Sequence, residues 1–283
     1  MSSPKKNSLL CPSCRRLISR SESKCPYCEI SNPGSPLKNN PFTALLNKPE
    51  GLITILVYIN VAIYIISILI DPGKSSFNLS PMRFLSPSHK SLFFLGSTGT
   101  IPVFEYGRWW SLISANFLHG SLLHIIFNMI AIRQIGPLVI NEYGPARMLV
   151  IYLAGGVAGF VLSCFPGGIP FTIGASAGLC SLIGATLYYG KSRGGIYGQN
   201  IYSQVSSWAI SIFIFGFMIP GINNWAHGGG MAAGALLGLL LGYRERTKEN
   251  SSHTLLAATC VIASALTMLW AIGTAFYIFF IYR

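Results

Sequence analysis

Charge is scarce in this 283-residue chain: Asp, Glu, Lys and Arg together make up 10% of it, and only eight residues are acidic. Average soluble domains carry about 25% charged residues. An ordinary soluble enzyme, whose surface must face water, is therefore excluded. So are a disordered chain and a coiled coil, because 51% of the residues are apolar, thirty are glycine and the mean hydropathy is +0.52. No strand-like alternation is sustained, which argues against a membrane barrel. No apolar run follows the early basic residues until position 51, so no secretory signal is expected. What remains is an all-α polytopic membrane protein.

Seven apolar segments bear this out, at about 51–70, 117–140, 148–165, 173–190, 204–220, 224–243 and 255–281. Most are near the roughly 20 residues that cross about 30 Å of hydrocarbon as helix. Before them, residues 31–50 are rich in Asn, Pro, Ser and Lys and read as linker. The net charge of +12 would suggest nucleic acid on a soluble protein, but here it reads as topology. With the N-terminus in the cytosol, fourteen of the twenty basic residues fall on the inner side and five on the outer. The one large connection, 72–116, contains Phe84, Leu92, Phe93, Trp109 and Trp110 and is expected to lie at the membrane interface.

Polar side chains inside a bilayer cost roughly 2–3 kcal/mol or more when charged, so they are candidates for function. This chain places His119, His124 and Asn128 at the start of segment two, Ser176 at the start of segment four and His227 at the start of segment six. These three segments all run from outside to inside, so the residues share one depth, on the order of 5–10 Å below the outer surface. His124 and Asn128 are four apart and share a helical face. The set suits acyl transfer. Ser176 needs a base, His227 can take its proton, and His124, Asn128 and the N–H groups at a helix start can face an oxyanion. No carboxylate lies in these segments, so this would be a Ser–His dyad. Gly230, Gly234, Gly238 and Gly242 form a small stripe that would let segment six dock on segment four. A His-only metal site from His119, His124 and His227 is the disfavoured alternative, because no carboxylate or Cys accompanies it.

FLHGSLLHIIFN, GASAG and AHGGGMAAG, in this order, resemble the rhomboid family of intramembrane serine proteases over about residues 50–243. The resemblance implies a six-helix core over 51–243. It implies Ser176 as nucleophile and His227 as base, and His124 and Asn128 as oxyanion-hole residues, with no cofactor for catalysis. The substrates it implies are transmembrane helices of other membrane proteins, cut near the outer face. Segment seven, within 244–283, would be a C-terminal addition after a cytosolic loop. Three positions depart from the usual pattern: Ala177 directly after the serine, Ser111 after Trp110 with Arg108 nearby, and Cys180 where an aromatic residue often stands. The membrane is expected to be a bacterial cytoplasmic one. A non-catalytic scaffold or chaperone-like binder of transmembrane segments is the alternative. A transporter is disfavoured, since no acidic residue lies in the core segments.

Cys11, Cys14, Cys25 and Cys28 form two C-x2-C pairs, which offer four thiolates for tetrahedral Zn2+. A small zinc ribbon is therefore expected over 1–40, followed by a linker at 41–50. The metal would supply the stability so short a segment lacks. A cytosolic protein and the lipid surface are candidate partners for the ribbon, and nucleic acid is not expected. Cys164, Cys180 and Cys260 are expected to be packing residues.

Overall fold

The computed structural model describes residues 7–12, 16–35, 49–72, 76–77 and 84–281. Cys14 lies outside the described residues. The chain divides into two compact units, residues 1–56 and 57–283.

In the smaller unit, β1 (Ser8–Leu10) and β2 (Leu17–Ser19) form an antiparallel hairpin with Leu9 opposite Ile18. That register turns Leu9 and Ile18 to one face, where they pack with Cys11, Cys25, Cys28 and Ile30. The Cys25 N–H donates to the Ile30 carbonyl (3.0 Å) and Glu29 N–H to the Cys25 carbonyl (2.9 Å), closing a tight turn around the second cysteine pair.

Among the described residues, seven helices have 18 residues or more. They are α1 (Pro49–Leu69), α4 (Leu122–Tyr143), α5 (Pro145–Cys164), α6 (Ser176–Arg193), α7 (Gly195–Met218), α8 (Asn224–Leu241) and α9 (Ser251–Phe276). They match the seven apolar segments of the sequence, giving the six-helix core and the additional C-terminal helix. Two connections are shorter than the hydropathy pattern suggests. Pro145 suits a first helical turn, and Gly144 (φ 101°) alone joins α4 to α5. Gly194 (φ 67°) alone joins α6 to α7, so the polar stretch 195–203 is helix rather than loop.

Five of these helices are long and apolar enough to cross a membrane, but α6 and α8 are not among them. The reason is their position. Twelve of the eighteen residues of α6 are buried, and the helix is flanked by α5, α7 and α8. Small and polar side chains suffice there because protein, not lipid, surrounds them. By contrast α7 buries only Gly198, Ile201, Val205 and Ala209, and it leaves Ile210, Ile214, Phe215, Phe217 and Met218 exposed.

The glycine stripe does what its spacing predicts. A Cβ at Gly230 would collide with the Ala177 carbonyl, one at Gly234 with the Ser181 carbonyl, and one at Gly238 would come within 3.3 Å of Ala185. Gly230, Gly234 and Gly238 thus each meet a residue of α6, also spaced by four, and the backbones approach until no side chain fits between them, whereas Gly242, the fourth of the expected stripe, caps α8 (φ 68°) and faces Thr247 instead of α6.

The connection before α4 is folded. It holds β3 (Phe84–Ser86), α2 (His89–Phe94), a π turn (Ile101–Glu105), α3 (Ser111–Ser114) and a 3-10 turn (Ala115–Phe117). Its hydroxyls replace a periodic apolar face. Ser114 Oγ donates to the Gly96 carbonyl (2.9 Å), Ser111 Oγ to Thr98 Oγ1 (3.0 Å), and Ser88 Oγ to the Asp71 carboxylate (2.8 Å). Phe84, Phe104, Tyr106 and Trp109 are exposed.

Candidate active site

Ser176 is the first residue of α6, and Gly174 (φ 132°) turns the chain into that helix. The segment leading to it is pinned on both sides. Thr98 and Thr172 exchange two backbone hydrogen bonds (3.0 and 2.6 Å), and the Gly174 N–H donates to the Ala115 carbonyl (2.9 Å). Ser176 is half-buried, so its hydroxyl stays accessible at the end of the bundle. As the N-terminal residue of a helix it leaves its own N–H without an intrahelical acceptor.

His227 lies in the first turn of α8, 7% exposed, with Nε2 2.8 Å from Ser176 Oγ. Fifty-one residues separate the two in sequence, and the stripe of α8 brings them together. His227 Nδ1 has no hydrogen-bond partner among the described residues. The ring is therefore placed by its helix, with no carboxylate behind it.

Beside the pair stands His124, on the first turn of α4. Its Nδ1 accepts from the Gly120 N–H (3.3 Å), which leaves Nε2 as the protonated nitrogen. That nitrogen faces the turn into α6: a Cβ at Gly174 would sit 2.9 Å from it and 3.4 Å from Ser176 Oγ. Asn128 lies one turn further along. Its Nδ2 donates to the His124 carbonyl (2.8 Å), leaving a second N–H on that nitrogen. His119 is fully buried with its ring edge-on to His124, centroids 5.1 Å apart. So Ser176, His227 and His124 meet, and Asn128 stands behind His124.

The three departures from the usual pattern have structural counterparts. The Ala177 methyl fills the space left by Gly159 of α5, where a Cβ would come to 3.3 Å from it. Cys180 is fully buried against Gly230 (3.4 Å to a Cβ placed there), so a small residue faces the glycine stripe. Arg108 takes its place in the loop by donating to the Phe93 and Phe94 carbonyls (2.6 and 3.2 Å). Its guanidinium also lies between the Phe93 and Trp110 rings (4.4 and 4.5 Å). Burial pulls its pKa below the ordinary arginine value, and those carbonyls and ring faces replace water around the charge.

Sequence reasoning missed Asn223, the N-cap of α8. Its Oδ1 accepts from the Ala226 N–H (3.1 Å), and its Nδ2 donates to Ser163 Oγ (2.5 Å) and Thr172 Oγ1 (3.0 Å). An Asn at the head of a helix was the available signal.

Among the described residues, the one trio of metal-ligand side chains that converges is Cys11, Cys25 and Cys28, with sulfurs all within 4.8 Å of one another. Cys11 and Cys28 Sγ are 3.6 Å apart. Thiolates around tetrahedral zinc, each about 2.3 Å from the metal, would be about 3.8 Å apart. The spacing thus fits a shared metal and is far from the roughly 2 Å of a disulfide.

Residues 106–244 match the rhomboid domain. RHOMBOID-like protein 4 of Arabidopsis thaliana is 30% identical over 205 residues, covering 67% of this chain and 52% of that protein. Rhomboid protease GluP of Bacillus subtilis is 32% identical over 168 residues, covering 58% of this chain and 32% of that protein. RHOMBOID-like protein 6, mitochondrial, of Arabidopsis thaliana is 29% identical over 215 residues, covering 68% and 70%. The chain thus spans about half the length of the first of these relatives and about a third of the second.

Proposed function

The chain carries a rhomboid domain, and from that premise we propose that it is an intramembrane serine endopeptidase acting through a Ser176–His227 dyad. The observation that carries this is the 2.8 Å contact between Ser176 Oγ and His227 Nε2 on two helices held together by the glycine stripe. Ser176 Oγ attacks the carbonyl carbon of the scissile bond while its proton passes to Nε2. The C–N bond then breaks as Nε2 returns that proton to the leaving amine. Water, deprotonated by the same nitrogen, hydrolyses the acyl-serine and restores the hydroxyl. The oxyanion is met by His124 Nε2–H, the free N–H of Asn128 and the Ser176 backbone N–H.

The N-terminus lies in the cytosol by the distribution of basic residues, which sets the dyad near the outer face. Substrates are other membrane proteins whose transmembrane helix is unstable at its outer end. Cys11, Cys25 and Cys28, with Cys14 supplied by the sequence spacing, hold a structural Zn2+ that takes no part in catalysis. The module around it is a platform for a cytosolic partner.

Cleavage of a model transmembrane substrate by the purified chain, wild type beside Ser176→Ala and His227→Ala, tests the dyad. Equal cleavage by Ser176→Ala would overturn it. Binding of the segment without cleavage by all three proteins would favour the scaffold reading instead. For the metal, elemental analysis of the full chain is expected to give one zinc per molecule, lost in Cys25→Ser. A metal-free wild type would refute that assignment.

A further inference from the structure

The link between Asn223 and Thr172 has the same sequence separation as the Ser176–His227 contact, fifty-one residues. Thr172 precedes Ser176 by four residues and Asn223 precedes His227 by four. The two contacts are therefore parallel rungs between the same two chain segments. One rung is the reacting pair, and the other is an amide–hydroxyl bond of 3.0 Å.

The amide has no freedom in how it makes that bond. Its oxygen is committed to the Ala226 N–H at the cap, so both N–H groups must point the other way, to Ser163 Oγ at the end of α5 and to Thr172 Oγ1. Thr172 is itself fixed by its two backbone bonds to Thr98. The His227 N–H in turn donates to the Asn223 carbonyl (3.1 Å), so a displacement of Asn223 is passed directly to the base. The imidazole needs this because nothing among the described residues holds its Nδ1.

We propose that Asn223 is a positioning residue, which sets the distance between His227 Nε2 and Ser176 Oγ by tying the start of α8 to Thr172. The proposal rests on the dyad reading of the site. It differs from a helix cap, which would need the Asn223 oxygen and not its nitrogen.

Two variants separate the roles. Thr172→Val keeps the side-chain shape and removes the acceptor. Asn223→Asp keeps the capping oxygen and removes both donors. Each is expected to lower kcat on a transmembrane substrate by about 10- to 100-fold, the scale of a misplacement of about 1 Å. KM is expected to stay within about twofold, because the interaction acts on the reacting pair and not on substrate binding. The double variant is expected to be no worse than the poorer single one. Histidine-selective 15N labelling supplies a readout without turnover, in which the His227 Nε2 signal shifts in Thr172→Val while that of His253 does not. Wild-type kcat and an unchanged His227 signal in Thr172→Val would overturn the proposal, as would additive losses in the double variant. If the wild type cleaves no better than Ser176→Ala, the dyad reading fails, and the 15N signal alone decides whether the rung holds His227.

Discussion

Substituting Gly234 by alanine puts the docking of α8 on α6 to a direct test. A Cβ there would lie 2.5 Å from the Ser181 carbonyl carbon and 2.7 Å from its Cα, where ordinary contact begins at 3.4 Å. Both atoms are backbone and cannot swing aside, and the Ser181 carbonyl oxygen is closer still, so α8 must retreat by at least about 0.7–0.9 Å. Gly234 is two turns from His227, and a helix moves as a rod over that length. The Oγ–Nε2 separation of 2.8 Å would then open to about 3.5 Å or more, past the range of a useful hydrogen bond. A misplacement of that order costs about 100-fold in rate, or about 2.7 kcal/mol of barrier. The assay is kcat on a transmembrane substrate, with Gly230→Ala and Gly238→Ala as companions. Gly238 sits three turns from His227 and faces the Tyr143 hydroxyl and Ala185, so its variant should lose thermal stability more than kcat. Wild-type kcat in Gly234→Ala would refute the argument that backbone contact sets the dyad.

Replacing His124 by alanine should lower kcat by about 100- to 1,000-fold with KM little changed, the loss expected for one oxyanion donor; a change in KM alone would assign it to substrate binding. Arg108→Lys should destabilise the loop nearly as much as Arg108→Ala, because lysine cannot reach both carbonyls while lying flat between two rings; thermal unfolding of the two variants decides this. Cys180→Tyr should overpack the interface at Gly230 and cost about 1–3 kcal/mol of stability, while Cys180→Ala should stay near wild type; chemical denaturation measures both.

The number and order of the long helices were legible because lipid imposes one demand, a run of apolar residues. Ser176 and His227 were legible for the converse reason, as polar residues where apolar ones belong. The fold of 84–117 was not, since its order comes from Ser88, Ser91, Ser111 and Ser114 bonding to carbonyls, hydroxyls and a carboxylate far away in sequence. Such contacts leave no periodicity. Asn223 was hidden in the same way: its partners are 51 and 60 residues away. The one-residue connections at Gly144 and Gly194 were missed because their polar flanks read as loops, although Pro145 marks a helix start.

The modest apolarity of α6 and α8 has a consequence for how the protein is made. These two helices carry Ser176 and His227, and by length and composition they are not among those suited to sit in lipid alone. During synthesis α6 follows α5 and can shelter against it, but α8 emerges two helices later and needs α5 and α6 already in place. Ser176 and His227 therefore enter the bilayer as passengers of their neighbours. On the dyad reading, a partly inserted chain holds Ser176 without His227, so activity is expected only once the bundle has been assembled.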